Sequence, residues 1–256
     1  MNRLLTNTLA LLMLSSCTSG CHHKTVATEL PRKAFMFVSH DALFEICGDE
    51  NCEPIASGTM IGSGFMVSTN GVDSWGVTAG HLCEVDVKGT ALDQPSVKLK
   101  SMFKITTFNG GTYKAEVENI YSDLDLCVMK IPGMQATKLV DIASEPPHHG
   151  EKVYTTSAPL GVFDNDMLLT FDGYYSGKTT NIPTPDGKPA IYDIYTVPAK
   201  GGSSGSPIYN SKGEVVGVTS AALVSFPHLL LSPSQESVQA VLESVAEKKY
   251  EPPSKK

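Results

Sequence analysis

The pattern of apolar positions along the chain predicts short β-strands over most of its length. From about residue 34 onward, runs rich in β-branched and aromatic residues alternate with turn signals such as Asn70-Gly71 and Asn109-Gly110-Gly111. The predicted strands of the first half cover residues 34–38, 42–46, 64–68, 75–79, 97–107, 113–120 and 126–131. Those of the second half cover residues 152–157, 167–175, 191–197, 207–209 and 214–220. We therefore predict an all-β protein in two halves.

The segments around these strands complete the predicted domain. Residues 132–150 are rich in Pro and Gly and predict a crossing between the halves. Apolar residues at helical spacing follow Ser232-Pro233 and predict one helix over about 233–247, with the proline at its first position. We expect one domain over residues 34–249, with a first barrel at about 34–131, a second at about 150–225 and a tail at 250–256.

Composition narrows the class of partner. The chain has 256 residues, 41% of them hydrophobic and 18% charged, which is ordinary for a globular protein. Its formal net charge is -7, and its lysines are scattered instead of clustered, so we expect no nucleic-acid partner. We also expect a monomer without a cofactor.

The N-terminus has the layout of an export signal. Residues 1–17 begin with a short polar part that contains Arg3, continue with an apolar stretch and end in small residues. Leu14-Ser15-Ser16-Cys17 resembles the lipobox of bacterial lipoproteins, which implies that Cys17 is acylated. The alternative is a plain secretory signal that is cut between Ser16 and Ser19. Either way we expect a linker at 18–33 and a secreted, periplasmic or cell-envelope protein, which contacts a membrane only through that lipid.

Three separate segments carry the side chains that an amide hydrolase needs. A serine hydroxyl is a weak nucleophile, so it requires a base, a group that orients the base, and donors for the oxyanion. His81 follows the strand at 75–79, and Asp125 opens the apolar strand at 126–131, with Asp123 as a nearby competitor. Ser204 lies among glycines that let the backbone turn tightly. Taken singly, each segment also fits a structural role: a strand end, a turn carboxylate or a flexible linker.

Together, and in this order, the segments resemble the motifs of the trypsin-like serine protease superfamily. Residues 78–81 match T-A-x-H, residues 125–131 match D-[LIV]-x-[LV]-x-[KR]-[IV], and residues 202–207 match G-x-S-G-[GS]-P. The resemblance covers about residues 55–225, and the run at 201–210 is most similar to bacterial glutamyl endopeptidases and high-temperature-requirement proteases. It implies two six-stranded antiparallel Greek-key β-barrels packed together, of chymotrypsin type, followed by the C-terminal α-helix.

The resemblance also implies a role for each matched residue. Ser204 would be the nucleophile, His81 the general base and then acid, and Asp125 the carboxylate that orients the imidazole. The backbone N–H groups of Gly202 and Ser204 would hold the oxyanion. Ser220 would lie near Asp125 and beside the substrate backbone.

Departures from the family pattern shape the expected specificity. Animal trypsins carry an Asp immediately before the nucleophile, and it pairs with a newly cut N-terminus. Ser203 occupies that place here, so we do not expect activation through such a salt bridge. Pro198 stands where trypsins place a pocket carboxylate, and Thr219 where glutamyl endopeptidases place a histidine. Ala221 and Ala222 would narrow the pocket walls. We expect cleavage after small or medium apolar side chains.

Cysteines and histidines offer further chemistry. Cys47 and Cys52 flank a turn, which favours a disulfide over a two-cysteine metal site, because no histidine is near enough to complete the ligands. Cys83 and Cys127 each lie two residues beyond His81 and Asp125, so one alternative is that the fold brings them together. We favour buried free thiols, because the residues between them decide a geometry that the sequence does not show. Adjacent histidines at 22–23 and 148–149 fit solvated surface better than metal ligation, and we expect no metal.

The sequence therefore predicts an extracytoplasmic serine endopeptidase that acts on polypeptides through an acyl-enzyme intermediate. One alternative is a catalytically inactive binding protein with the protease fold. Another keeps the chemistry in a narrow-substrate esterase or a self-processing protease.

Overall fold

The computed structural model describes residues 30–48, 51–182, 190–223 and 225–248. The predicted signal segment and lipobox at 1–17, most of the linker at 18–33 and the tail at 250–256 lie outside these residues. Within them the chain forms β-strands, four 3-10 turns and one α-helix. No helix of the described part is long and apolar enough to cross a membrane.

The first six strands close into an antiparallel barrel. They are β1 (Phe35–Cys47), β2 (Cys52–Thr69), β3 (Ser74–Ala79), β4 (Val97–Thr107), β5 (Thr112–Tyr121) and β6 (Leu126–Ile131). Their order around the barrel is β1-β2-β3-β6-β5-β4. Strands β3 and β6 are almost wholly buried, and side chains fill the interior of a barrel of this size.

The second half is a single sheet of eight strands. They are β7 (Asp141–Ile142), β8 (Lys152–Ser157), β9 (Leu169–Thr179), β10 (Tyr192–Tyr195), β11 (Pro207–Tyr209), β12 (Glu214–Val218), β13 (Ala221–Leu223) and β14 (Phe226–Pro233). The order is β13-β14-β10-β9-β8-β11-β12-β7, antiparallel except for β7 with β12. The predicted chymotrypsin-like class is confirmed. The strand count of this half differs from six because the very short strands β7 and β13 add to its two edges.

Strand β1 is continuous where the sequence predicts two strands, at 34–38 and 42–46. The polar residues between them resemble a turn, yet His40 is fully buried. Its Nδ1 lies 2.8 Å from the Leu82 carbonyl oxygen and its Nε2 2.9 Å from Ser101 Oγ, and its ring stacks on Phe103. Because both ring nitrogens have partners, the barrel tolerates the imidazole and the strand runs on. Burial lowers the pKa of His40.

The α-helix of the described residues, α1 (Gln235–Ala246), packs into the same hydrophobic cluster as the first barrel. Its buried apolar side chains are Val238, Val241, Leu242 and Val245. It starts two residues later than predicted, because Ser234 is the N-cap and accepts the Ser237 N–H at 3.3 Å. The expected N-terminal Ser232-Pro233 belongs to β14 instead. The Ser232 hydroxyl accepts the Val218 N–H at 3.0 Å and so serves the sheet.

A buried carboxylate ties this helix to the second sheet. Asp193 on β10 is fully buried and accepts the Tyr175 hydroxyl at 2.8 Å and the Gln235 N–H at 2.6 Å. Burial raises the pKa of Asp193, while the two donors act against that shift. The folded state therefore holds the proton to a higher pH than the unfolded chain, and the stability linked to this group falls as the pH rises through that interval.

Candidate active site

Strand pairing brings the histidine and aspartate segments together. Ala79 at the end of β3 pairs with Leu126 at the start of β6, so the residues that follow β3 meet those that precede β6. The Gly80 N–H donates to the Asp125 carbonyl oxygen at 2.8 Å. A Cβ at Gly80 would lie 3.0 Å from backbone atoms of Asp125 and Leu126, so only glycine fits this contact easily. His81 follows directly, in the 3-10 turn Gly80–Leu82.

Asp125 holds His81 through three contacts, one to its backbone N–H and two to its imidazole. Its Oδ1 accepts the His81 N–H at 2.7 Å, and its Oδ1 and Oδ2 lie 3.0 and 2.9 Å from His81 Nδ1. Its φ of 50° is left-handed, a conformation that Asp tolerates better than most residues. With Nδ1 facing the carboxylate, the proton belongs there, and Nε2 is the basic nitrogen. The exposed Asp123 makes no hydrogen bond with His81 in the described residues.

The second half adds a hydroxyl to this pair. Ser220 Oγ donates to Asp125 Oδ2, so the carboxylate is held from both halves of the molecule. Ser220 is itself buried, and its N–H donates to the Leu231 carbonyl oxygen at 3.0 Å. Ser220 thus lies beside Asp125, the position that the family resemblance implies.

Two glycines shape the loop that carries Ser204. Gly202 and Gly205 have φ of +94° and +82°, where other residues are strained. A Cβ on Gly205 would lie 2.2 Å from the Ser63 carbonyl oxygen, and one on Gly202 would lie 2.5 Å from the Ala158 carbonyl oxygen. The loop therefore packs against both halves. Within it, Ser203 is buried while Ser204 is partly exposed.

The loop also presents two backbone donors. The N–H groups of Ser203, Gly205 and Ser206 donate to backbone carbonyl oxygens, whereas those of Gly202 and Ser204 have no acceptor among the described residues. Gly202 and Ser204 lie on either side of the buried Ser203, and their two N–H groups are available as donors to an oxyanion.

A cavity of about 250 Å³ lies beside Ser204. Its walls come from the loop at residues 199–206, which we name the nucleophile loop after its proposed nucleophile Ser204, and from the chain around β13 and β14. The lining residues are Ala199, Lys200, Gly201, Ser204, Thr219, Ser220, Ala221, Ala222, Leu223 and Pro227. Ser220, Ala221 and Ala222 line it, as predicted, while Pro198 is not among the lining residues and its neighbour Ala199 is. Sequence reasoning missed Leu223 and Pro227 because it placed no strand at β13 or β14.

Of the three proposed catalytic side chains, His81 and Asp125 are hydrogen-bonded to each other, and Ser204 lies nearby without a hydrogen bond to either in the described residues. His81, Asp125 and Ser220 form one hydrogen-bonded row, and Ser220 shares the cavity with Ser204. Within the described chain, no hydrogen bond links the Ser204 hydroxyl to His81. Such contacts are often long in proteases without substrate, and tighten when substrate binds.

Both cysteine pairs near this region are disulfides. Cys47 and Cys52 are bonded, as the turn between them predicts. Cys83 and Cys127 are also bonded, so the expectation of buried free thiols is wrong. Thr78 on β3 pairs with Cys127 on β6, and the 3-10 turn that follows β3 brings Cys83 back over that strand. The bridge ties the His81 turn to the strand that follows Asp125.

One cluster of the described residues has the spacing of a metal site: Glu45, Cys47 and Cys52. The two sulfur atoms are bonded to each other, and Glu45 pairs with Lys100 at 2.7 Å. These atoms therefore have partners already and do not form a metal site.

Comparison with known proteins identifies the class. The family model described as "Trypsin-like peptidase domain" matches residues 62–218, and the chain belongs to this family. It is 28% identical over 71% of its length to the serine protease Do-like HtrA of Bacillus subtilis (strain 168), of which it covers 37%. It is 29% identical over 67% of its length to the putative serine protease HhoB of Synechocystis, of which it covers 36%. The chain thus spans about a third of these relatives.

Solved structures support the fold. The active form of the Rv3671c protease from M. tuberculosis matches 89% of this chain and 86% of its own, with a TM-score of 0.61 and 14% identity. An inactive form matches 86% of this chain and 92% of its own, with a TM-score of 0.58 and 15% identity. At this identity the likeness shows the architecture only.

The two disulfides differ in the length of chain that they close, which predicts unequal effects on stability. The Cys83–Cys127 bridge closes a separation of 44 residues and the Cys47–Cys52 bridge one of 5. By loop-closure entropy, replacing both cysteines of a pair with alanine should lower the free energy of unfolding by about 4 kcal/mol for the first and about 2 kcal/mol for the second. Denaturant unfolding of the two double variants measures this. A larger loss of stability on replacing the 47–52 pair would contradict the prediction that the effect follows the length of the closed loop.

Proposed function

We propose that this protein is a serine endopeptidase that hydrolyses peptide bonds through an acyl-enzyme intermediate. The observation that carries the proposal is the His81–Asp125–Ser220 row beside a cavity that contains the partly exposed Ser204. Each half of the molecule supplies part of the site: the barrel supplies His81 and Asp125, and the second sheet supplies Ser204 and Ser220. The family and its protease relatives support the same chemistry.

The substrate backbone binds along β13 in this proposal. That strand is the edge of the second sheet, so one side of it has no partner strand within the described chain. Its residues Ala221 and Ala222 line the cavity, which receives the side chain that precedes the scissile bond. An extended peptide added to a sheet edge gains backbone hydrogen bonds whatever its sequence. Specificity then depends on the cavity.

Catalysis follows from the positions of the hydrogen-bonding groups. His81 Nε2 takes the proton of the Ser204 hydroxyl as the oxygen attacks the carbonyl carbon, and Asp125 stabilises the imidazolium that forms. The N–H groups of Gly202 and Ser204 bind the oxyanion. His81 then donates its proton to the leaving amine, and water hydrolyses the acyl-enzyme by the same steps. No cofactor takes part.

The two adjacent serines provide a matched test of the nucleophile. Ser204→Ala should abolish covalent labelling by a fluorophosphonate probe, whereas Ser203→Ala should retain most of it, because the Ser203 hydroxyl is buried and accepts the Lys200 N–H at 3.3 Å. His81→Ala or Asp125→Ala should lower kcat by about 10⁴-fold. Mass spectrometry of the labelled protein and peptide kinetics measure these effects. The reverse result for the serines would mean that the wrong one is assigned.

The alternative functions predict different outcomes when the protein is incubated with the fluorophosphonate probe and with casein. A binding protein with an inactive cleft would not be labelled at all. An esterase or self-processing protease would be labelled but would not cleave casein. The partly exposed Ser204 and the cavity beside it favour an active enzyme over a closed cleft, and the unpaired edge of β13 in the described sheet favours a peptide substrate.

We propose a preference for small or medium apolar side chains before the scissile bond. Much of the cavity wall is formed by Ala199, Ala222 and Pro227, and burying a charge there costs more than burying a methyl group. Lys200 also lines the cavity but is exposed, so it keeps its hydration.

Peptides that differ only at this position test the preference. Alanine and leucine peptides should be cleaved faster than lysine and glutamate peptides. Ala222→Leu should lower kcat/KM for the leucine peptide by about 10-fold or more and for the alanine peptide much less, because it fills the cavity. Ala56→Leu makes the same change at an exposed position outside the cavity and should alter neither. Fastest cleavage after glutamate would point to Lys200 as the specificity residue instead.

We further propose that the protein acts outside the cytoplasm and is anchored through Cys17. The two disulfides support an oxidising compartment, and residues 1–17 have the sequence pattern of an export signal. Mass spectrometry of the mature protein should find Cys17 as the first residue, with the added mass of acyl chains. An unmodified start between Ser16 and Ser19 would keep export and remove the anchor. A chain that still begins at Met1 would contradict both.

A further inference from the structure

We propose that Ser63, a residue of the first barrel, is a positioning residue that orients the oxyanion donors of the nucleophile loop. The inference rests on the proposed endopeptidase function. It adds to the proposed site a residue that acts through its neighbours and does not contact the reacting atoms. Ser63 lies on β2 and is fully buried, so its hydroxyl has access to protein groups only.

Ser63 holds the loop at two points. Its N–H donates to the Ser204 carbonyl oxygen at 2.8 Å, and its Oγ donates to the Gly202 carbonyl oxygen at 2.9 Å. Gly202 and Ser204 are the two residues whose own N–H groups have no acceptor in the described chain. One barrel residue therefore fixes the carbonyl groups of both proposed oxyanion donors.

The same hydroxyl also holds the turn beside the loop. Ser63 Oγ accepts the Ala158 N–H at 3.1 Å, and Ala158 is fully buried. Two residues further along, the Leu160 N–H donates to the Gly201 carbonyl oxygen at 2.6 Å. Ser63 thus supports Gly201 indirectly, through the turn, and Gly202 directly.

Peptide geometry converts these contacts into a direction for the donor. In a planar trans peptide the C=O of one residue and the N–H of the next point in opposite directions. Since the Gly201 carbonyl is bound to the Leu160 N–H, the Gly202 N–H must point away from that turn. The following peptide is held at both ends, by Ser63 Oγ on the Gly202 carbonyl and by the Lys200 carbonyl on the Ser203 N–H at 2.8 Å.

Glycine at position 202 makes this support necessary. Its φ of +94° is open to glycine, but glycine also reaches many other conformations at little cost, so the residue itself does not hold the N–H in place. The hydrogen bonds on either side do. Ser63 is in turn held within the barrel, because Thr78 Oγ1 donates to its carbonyl oxygen at 2.7 Å.

The test removes the hydroxyl and separates transition-state binding from substrate binding. Ser63→Ala leaves the Gly202 carbonyl and the Ala158 N–H without this partner, and kcat for a peptide amide should fall by about 10- to 100-fold. KM should change by less than about 3-fold. Inhibition by a peptide aldehyde, which forms an oxyanion on Ser204, should weaken in parallel. Inhibition by a reduced-amide peptide, which has no carbonyl oxygen at that position, should not.

Ser74→Ala is the matched control. Ser74 is also fully buried, and its Oγ donates to the Met134 carbonyl oxygen at 2.7 Å and accepts the Ala136 N–H at 3.0 Å. It loses the same kind of bridge away from the nucleophile loop, so it should lower thermal stability while leaving kcat unchanged. Equal losses of kcat in both variants, or wild-type kcat and aldehyde affinity in Ser63→Ala, would overturn the proposal.

A further measurement separates failure of this inference from failure of the proposed function. If wild-type protein is not labelled by the fluorophosphonate probe, the proposed function is wrong. Amide hydrogen exchange of the free protein then tests Ser63 alone. Faster exchange at 200–206 and 158–161 in Ser63→Ala, but not in Ser74→Ala, supports the positioning role, and unchanged exchange refutes it. If Ser63→Ala does not fold, Ser63→Cys replaces the hydroxyl with a somewhat larger group that is a weaker donor, and should give an intermediate effect.

Discussion

The candidate site depends first on the pairing of β3 with β6. That register sets Ala79 opposite Leu126, so the backbone of Gly80 contacts the backbone of Asp125. A shift by one residue would turn the side chains of β6 to the opposite face and separate the carboxylate from the imidazole. Register is strongly specified here because both strands are buried almost throughout. Burial of apolar side chains in the barrel thereby determines where two polar side chains meet.

Contacts between the halves then complete what the barrel begins. The second half sends Ser220 to Asp125, and the barrel sends Ser63 to Gly202 and Ser204. Each half thus supplies hydrogen bonds that orient residues of the other half, and neither half by itself contains all the groups that orient the site. The two bonds from Ser63 measure 2.8 and 2.9 Å, and removing such a buried hydroxyl leaves its partner without a hydrogen bond, which costs the desolvation of that partner. We infer that packing of the two halves and order in the nucleophile loop are coupled.

The sequence supports the fold class and the core of the site because local motifs carry that information. His81, Asp125 and Ser204 each stand in a short block whose neighbours already suggest a strand end, a strand start or a tight glycine turn. The long β1 was missed because a polar side chain, His40, is buried by contacts with Leu82 and Ser101, which are distant in sequence. The Cys83–Cys127 bridge was missed for the same reason, since only the β3–β6 register brings those residues together.

The cavity shows where local patterns stop being informative. The resemblance places Pro198 in the pocket, but the cavity is lined by its neighbour Ala199, whose N–H donates to the Pro227 carbonyl oxygen at 2.9 Å. Pro227 lies on β14, which has little of the alternation that marks a strand. Ser63 is a similar case, because a serine inside a glycine-rich strand gives no local sign of contact with Gly202, 139 positions away. Groups that orient a site are thus harder to predict than groups that react, since their role exists only in the folded contacts.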